Sequence, residues 1–240
     1  MLELASLAVL PVMSATTIAP QHIRPSGAMP WHDHAESYAA VVLEGGYLEA
    51  GDDGRRRVSA GDVIIHAPFC GHANWFDQRG AVIVNMPLKL PSAFALASGR
   101  AADPEGLVRD AAASPDAVEL LLRDAIIFSP GEDDLPDQLA VDLRDDAQVS
   151  LATWAERKGV APRTLRRQFG QVYGTSPLAF RARARARRAW QLIMTSDLPL
   201  AGIAYDLGFA DQAHMSRAVA GLSGRPPRHW RGGRGRSIQD

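Results

Sequence analysis

His32, His34 and Glu36 stand at alternate positions of the chain, and His72 follows further along. In an extended strand, side chains two residues apart project from one face, so two imidazoles and a carboxylate would point the same way. Joined by His72 from a neighbouring strand, they would supply the nitrogen and oxygen donors that suit zinc, iron, nickel or manganese. The same groups also suit the hydrogen-bonded wall of a pocket for an organic effector, and the residues alone leave both readings open. His66 reads as structural and Cys70 as a small buried hydrophobe. No nucleophile dyad or separate acid and base pair accompanies them, so binding rather than catalysis is expected.

A second chemistry sits in the last third of the chain. Between Ser150 and Asp240 there are sixteen Lys and Arg against five Asp and Glu, a formal +11. The first 149 residues carry ten against twenty-two, or −12, and the two parts make up the −1 of the whole. A near-neutral total therefore hides a basic segment that attracts phosphate fused to an acidic one that phosphate repels. Within the basic part, Pro162 opens a helical pattern in which Leu165 and Phe169 face inward, leaving Arg163, Arg166 and Arg167 outward, with Thr164 beside them. Further on, Ile203, Ala204 and Leu207 form one apolar stripe, Gly208 supplies a turn, and Met215, Ala218, Val219 and Leu222 form the next. The outward face of that second helix holds Gln212, Ala213, Ser216 and Arg217. Arginine can take guanine O6 and N7 together, and glutamine suits adenine.

These residues need elements to position them. The first hundred residues read as short strands: Ser37 to Leu48, Val63 to His66 and Ala81 to Met86, punctuated by Gly51-Asp52-Asp53-Gly54 and Ser59-Ala60-Gly61-Asp62. Many short strands with such turns imply a small barrel or sandwich. Asp103 to Asp146 is helical in pattern and acidic, and its apolar run from Ala117 to Ile127, with Val118, Leu120, Leu121 and Ile126, could bury against the sheet or against a twin helix. Ser129 to Asp137 breaks that pattern, and the joint between halves falls between there and Gln148. Leu2 to Met13 is too short to span a bilayer and lacks a basic flank, so it reads as a first strand region, and a cytoplasmic chain is expected. The single cysteine excludes an internal disulfide and a thiolate zinc cluster. Gly232 to Asp240 reads as a flexible tail.

The order Ile203-Ala204, Leu207-Gly208-Phe209, Asp211-Gln212, Ser216-Arg217, Gly224 and Pro227 resembles the second helix-turn-helix of AraC/XylS-type transcription regulators. Leu151 to Phe169, followed by Gly174, Ser176 and Pro177, is similar to the first. The resemblance implies base and phosphate contacts at Gln212, His214, Ser216 and Arg217. Ala161 replaces the usual Ser or Thr cap, a change that typically removes ~1 kcal/mol, and Met215 and Val219 stand where larger aromatics are usual. Gly27, His32-x-His34-x-Glu36, Gly45, Gly61-Asp62, Pro68 and His72 resemble the two motifs of a cupin, although Glu36 follows His34 more closely than in cupin enzymes.

Together these readings give an α+β protein of two domains: a cupin-like effector-binding barrel at 1–100, a helical dimerisation and linker region at 101–146, and a double helix-turn-helix at 147–236. The expected function is a sequence-specific regulator, not an enzyme, that senses a small molecule or a metal. Promoter DNA and a second copy of the chain are its expected partners, RNA polymerase a further one, and a membrane is not. The alternative is a metal-dependent cupin enzyme with a fused DNA-binding domain.

Overall fold

The computed structural model describes residues 8–9, 18–89, 98–123, 126–127, 134–145 and 149–232. The chain divides into two compact units, residues 1–132 and 133–240.

The first unit is built on one nine-stranded sheet. Its centre is the pair of long antiparallel strands β4 (Ser37–Gly51) and β7 (His72–Leu88). On β7 lie β2 (Pro20–Ile23) and β3 (Gly27–His32), and β1 (Ala8–Val9) runs parallel to β3. On β4 lie β5 (Gly54–Ser59), closed by the expected Gly51 to Gly54 turn, and β6 (Asp62–His66), which leads to β8 (Gly99–Arg100) and β9 (Ile126–Ile127). His72 was expected on a strand and Ala81 to Met86 as another, but the polar stretch from Ala73 to Gly80 that joins them into β7 was not expected as strand. Its sequence ANWFDQRG lacks a run of apolar residues, and its pairing with β4 overrides that weak local signal.

Side chains alternate between two cores. Tyr38, Ala40 and Val42 face one cluster with Tyr47, Phe76 and Ile83, whereas Ala39 and Val41 face another with Val84 and Met86. Helices α1 (Pro104–Ala113) and α2 (Val118–Leu122) cover the second cluster through Ala111, Val118 and Leu122. Of the two readings of this apolar run, packing on the sheet and packing on a twin helix, the described residues engage largely in the first. Val118 and Leu122 are buried, Leu121 packs partly against the sheet, and Leu120 stays exposed; the side chain of Ile126 lies outside the described residues.

Along β4 the alternation changes phase. Residues 38, 40 and 42 face the first cluster, but beyond the register shifts around Glu44 and Gly45 it is Tyr47 that does so. A bulge adds one residue and so exchanges the faces of everything after it. Gly45 has φ 68° and Gly80, opposite it on β7, has φ 70°, and a Cβ on Gly45 would collide with the Gly80 carbonyl. Both features require glycine.

The second unit is helical. Helix α3 (Leu135–Asp145) belongs to it, which corrects the expected linker at 101–146: α1 and α2 pack on the sheet, and α3 packs on the later helices. Its polar anchors are specific, since buried Asp137 accepts a hydrogen bond from the Tyr173 hydroxyl at 2.8 Å and Asp142 accepts one from Trp154 Nε1 at 2.6 Å. Helices α4 (Leu151–Arg157) and α5 (Pro162–Tyr173) form the first helix-turn-helix, and α7 (Leu200–Asp206) and α8 (Gln212–Ser223) the second. Between them runs α6 (Pro177–Thr195), capped by Ser176, and α9 (Pro227–Gly232) follows. The expected tail lies, beyond Gly232, outside the described residues, as do most of Leu2 to Met13; of the joint expected before Gln148, residues 134–145 are described and lie largely in α3.

Trp154, Leu165, Phe169, Tyr173 and Phe180 are fully buried in the first half of this unit, and Trp190, Ile193, Ile203, Met215 and Val219 in the second. Tyr173 closes the link between α3 and α5, so Tyr173→Phe removes one donor from a buried carboxylate whose other oxygen accepts from the Asp134 amide at 3.3 Å. We expect a loss of about 1–3 kcal/mol in urea unfolding followed by helical circular dichroism; an unchanged midpoint would mean that Asp137 finds another donor.

Candidate functional site

Two sites emerge, one in each unit. In the sheet unit, β3, β4, β6 and β7 surround a cavity of about 20 Å³ lined by His32, His34, Tyr38, Glu49, His66, His72 and Asn74 among others. His32 and His72 are register partners at the ends of β3 and β7, with ring centroids 4.3 Å apart. His34 follows the strand and stands 5.7 Å from His72, stacked with it. His66, the last residue of β6, lies 4.4 Å from His72 and 4.7 Å from the ring of Tyr38.

Glu36 does not join them. Strand β3 ends at His32, so the alternation expected through residues 34 and 36 is broken, and Glu36 is exposed on the bend that follows. The carboxylate inside the cavity is instead Glu49. The phase change on β4 turns it inward, opposite Asn74 on β7 and Arg56 on β5. Asn74 Nδ2 donates to Glu49 Oε2 at 3.1 Å, Arg56 Nε lies 3.9 Å from Oε1, and His66 Nε2 lies 3.6 Å from Oε2. His66, read as structural from its position before Pro68, is therefore part of the site. The signal for Glu49 was the Gly45-Gly46 pair, since the bulge there decides which side Glu49 takes.

Among the described residues two donor sets, His32 with His34 and His72, and Glu49 with His66 and His72, each hold their ligand atoms within 4.8 Å of one another. Burial, aided by the neighbouring His32, pushes His34 down to about 4. Burial, then Arg56, pushes His66 down to about 3, and burial holds His72 well below its ordinary value. At neutral pH these imidazoles are uncharged and carry the lone pair a cation needs. Cys70 is buried as expected, with its Sγ 3.0 Å from Asp53 Oδ2.

The second site lies on the helical unit. Arg163, Arg166 and Arg167 are exposed on α5, and Thr164 is half-buried beside buried Leu165. On α8, Gln212, Ala213 and Arg217 are exposed, whereas His214 and Ser216 are half-buried. His214 sits edge-on against Phe209 at 5.3 Å. Asp211 caps α8 by accepting from the His214 amide at 2.6 Å, while Ala161 leaves α5 without a side-chain cap, as read from its type. The α6 arginines divide into roles the sequence did not separate. Arg181 donates to the Val149 carbonyl at 2.7 Å, just before α4 of the first helix-turn-helix. Arg185 donates to the Gly208 carbonyl at 2.9 Å and lies 4.5 Å over the Phe209 ring, in the turn of the second. Both tie the connecting helix to its helix-turn-helix units.

A structure with two short helix pairs, each offering the outer face of its second helix, is a double helix-turn-helix. Residues 154–233 match the model of a helix-turn-helix domain family. The HTH-type transcriptional activator RhaS of Escherichia fergusonii is 37% identical over 91 residues, 38% of this chain and 33% of that protein. The arabinose operon regulatory protein of Escherichia coli K12 is 30% identical over 95 residues, 40% of this chain and 32% of that protein. Among solved structures, the C-terminal domain of AraT, a response regulator from Geobacillus stearothermophilus, is 24% identical with a TM-score of 0.39, over 45% of this chain and 90% of that one. The chain spans about a third of the length of the curated relatives it matches. Residues 154–233 are an AraC-type helix-turn-helix domain. No helix among the described residues is long and apolar enough to cross a membrane.

The buried imidazoles fix a pH dependence. An unfolded chain takes up protons at these histidines below pH 6.5, while folded His34 and His66 resist until about 4 and 3. Their contribution to stability is therefore complete above pH 6.5 and declines as pH falls through that window. The melting temperature of the sheet unit is expected to drop between pH 6.5 and 4, with a shallower slope in His66→Gln; parallel slopes would show that His66 is not held neutral.

Proposed function

We propose that the protein is a sequence-specific DNA-binding transcription regulator, and that its N-terminal unit, a cupin-like barrel, receives a small molecule or a metal ion in the cavity between β3, β4, β6 and β7. The observation that carries the first half of this reading is the pair of exposed helix faces. Arg163, Arg166 and Arg167 on α5 and Gln212, Ala213 and Arg217 on α8 project from helices whose other faces are locked in buried cores. A recognition helix enters the major groove and reads base edges with such side chains. Thr164, His214 and Ser216, at the margins of those faces, reach backbone phosphates. Promoter DNA is then the partner, and the +11 of the last third supplies the long-range attraction.

The full chain is expected to retain a promoter fragment with an affinity that falls steeply and linearly in logarithmic salt. Arg166→Ala and Arg217→Ala are each expected to cost about 1–3 kcal/mol on the specific site and less on random DNA. Gel-shift titrations with both DNAs at three salt concentrations make the comparison. Equal losses on the two would demote these arginines to phosphate contacts, and an absence of retention would remove the regulator reading.

A further inference from the structure

We propose that the input to the N-terminal unit is a divalent first-row transition-metal ion, seated on Glu49, His66 and His72 rather than on the histidines that flank Glu36. This deepens the reading of the cavity as an input site and rests on it.

The first argument is size. A cavity of about 20 Å³ accommodates one sphere the size of water. That is room for a single ion held by the protein's own donors, not for a sugar or an aromatic acid, whose sites measure hundreds of Å³.

The second is charge. Glu49, His66 and His72 are 4%, 5% and 4% exposed, so their donor atoms lie away from solvent. A dication entering such a place needs a negative ligand, and the set around His32 and His34 offers none, because Glu36 points outside. The inner set supplies two neutral imidazoles and one carboxylate, a donor combination that zinc and its neighbours accept, with a coordination position left open.

The third is rivalry for one nitrogen. His72 belongs to both sets, and its Nδ1 faces the Cys70 carbonyl at 3.4 Å, which leaves Nε2 to give. One ion, not two, can therefore use His72, and the sets are alternative seats. The inner seat has a supporting partner in Asn74, which donates to one oxygen of Glu49; the Arg56 guanidinium, 3.9 Å from the other oxygen, offsets part of the same charge, so an ion seated here competes with Arg56 for Glu49.

The test uses the full-length chain, stripped with chelator and dialysed against zinc(II) and, separately, cobalt(II). About one equivalent of either metal is expected by elemental analysis, with a raised melting temperature and a cobalt ligand-field spectrum. Glu49→Gln and His66→Gln should each lose the metal and the spectrum, Asn74→Ala should weaken affinity about 10–100-fold, and Glu36→Gln should change neither. Circular dichroism of each metal-free variant separates loss of ligand from loss of fold. If either inner variant misfolds, the spectrum with His34→Gln decides, since an inner seat leaves it unaltered. Retention of metal by folded Glu49→Gln and His66→Gln, with loss in His34→Gln, would move the seat to the outer set and overturn the inference. No uptake by the parent chain would overturn it as well, and promoter retention by the same preparation would show that the regulator reading survives.

Discussion

The sheet unit depends on one close approach of two backbones. Gly45 lies against the Gly80 carbonyl where β4 and β7 lose register, and Gly80 in turn lies against the Ile23 carbonyl of β2, so neither position has space for a Cβ. Because side chains alternate with a period of two, a single extra residue at that point exchanges inside for outside along the rest of each strand. On β4 this brings Tyr47 and Glu49 to the face that Tyr38 and Ala40 occupy before it. On β7, Asn74 and Phe76 precede the bend while Ile83 and Asn85 line the same cavity after it. A continuous alternation would place Glu49 with Ala39 and Val41, against the helices, where a carboxylate would meet only hydrocarbon.

The helical unit is organised by a different constraint, the need of two small three-turn cores to keep a fixed separation. Helix α6 contributes Phe180 to one core and Trp190 and Ile193 to the other, so it is a structural member of both. Arg181 and Arg185 bind backbone carbonyls at the edge of each helix-turn-helix. A guanidinium so engaged orients the element it holds, at the expense of the phosphate contact its charge suggests. Arg163, Arg166 and Arg167 on α5 and Arg217 on α8 stay exposed on the outer faces of their helices, as do Arg157, Arg188, Arg225 and Arg228 elsewhere in the unit.

What could be read from the sequence follows the strength of local signals. The two helix-turn-helix units were legible because apolar spacing, turn glycines and capping residues agree over long stretches, and the packing preserves each choice. The strand at Ser37 was legible for the same reason, but its partner from Ala73 to Gly80 was hidden by polar residues that only cross-strand pairing makes strand-like. Glu36 was misplaced because alternation was extended past the end of β3, and Glu49 was missed because its orientation depends on a bulge. Near-neighbour arguments give the face of a residue only while the period is unbroken. Helix α3 reads from the sequence as part of the helical stretch and joint between the halves, because its anchors, Asp137 and Asp142, reach Tyr173 and Trp154, partners far along the chain.

The distribution of charge bears on how such a chain divides its labour. Divided at the boundary between the units, the formal charge is −7 for residues 1–132, with nine Lys and Arg against sixteen Asp and Glu, and +6 for residues 133–240, with seventeen against eleven, so the attraction for nucleic acid belongs to the unit that carries the two helix-turn-helix pairs. An acidic sheet unit is kept off the phosphate backbone by the same field, so occupancy of its cavity is not in competition with DNA for that surface. The negative balance also favours a cation over an anion as the species that reaches the cavity, and inside it the buried Glu49 meets the same preference at short range. Long-range field and local ligand chemistry thus act with one sign in each unit, positive where phosphate is bound and negative where a metal ion would be.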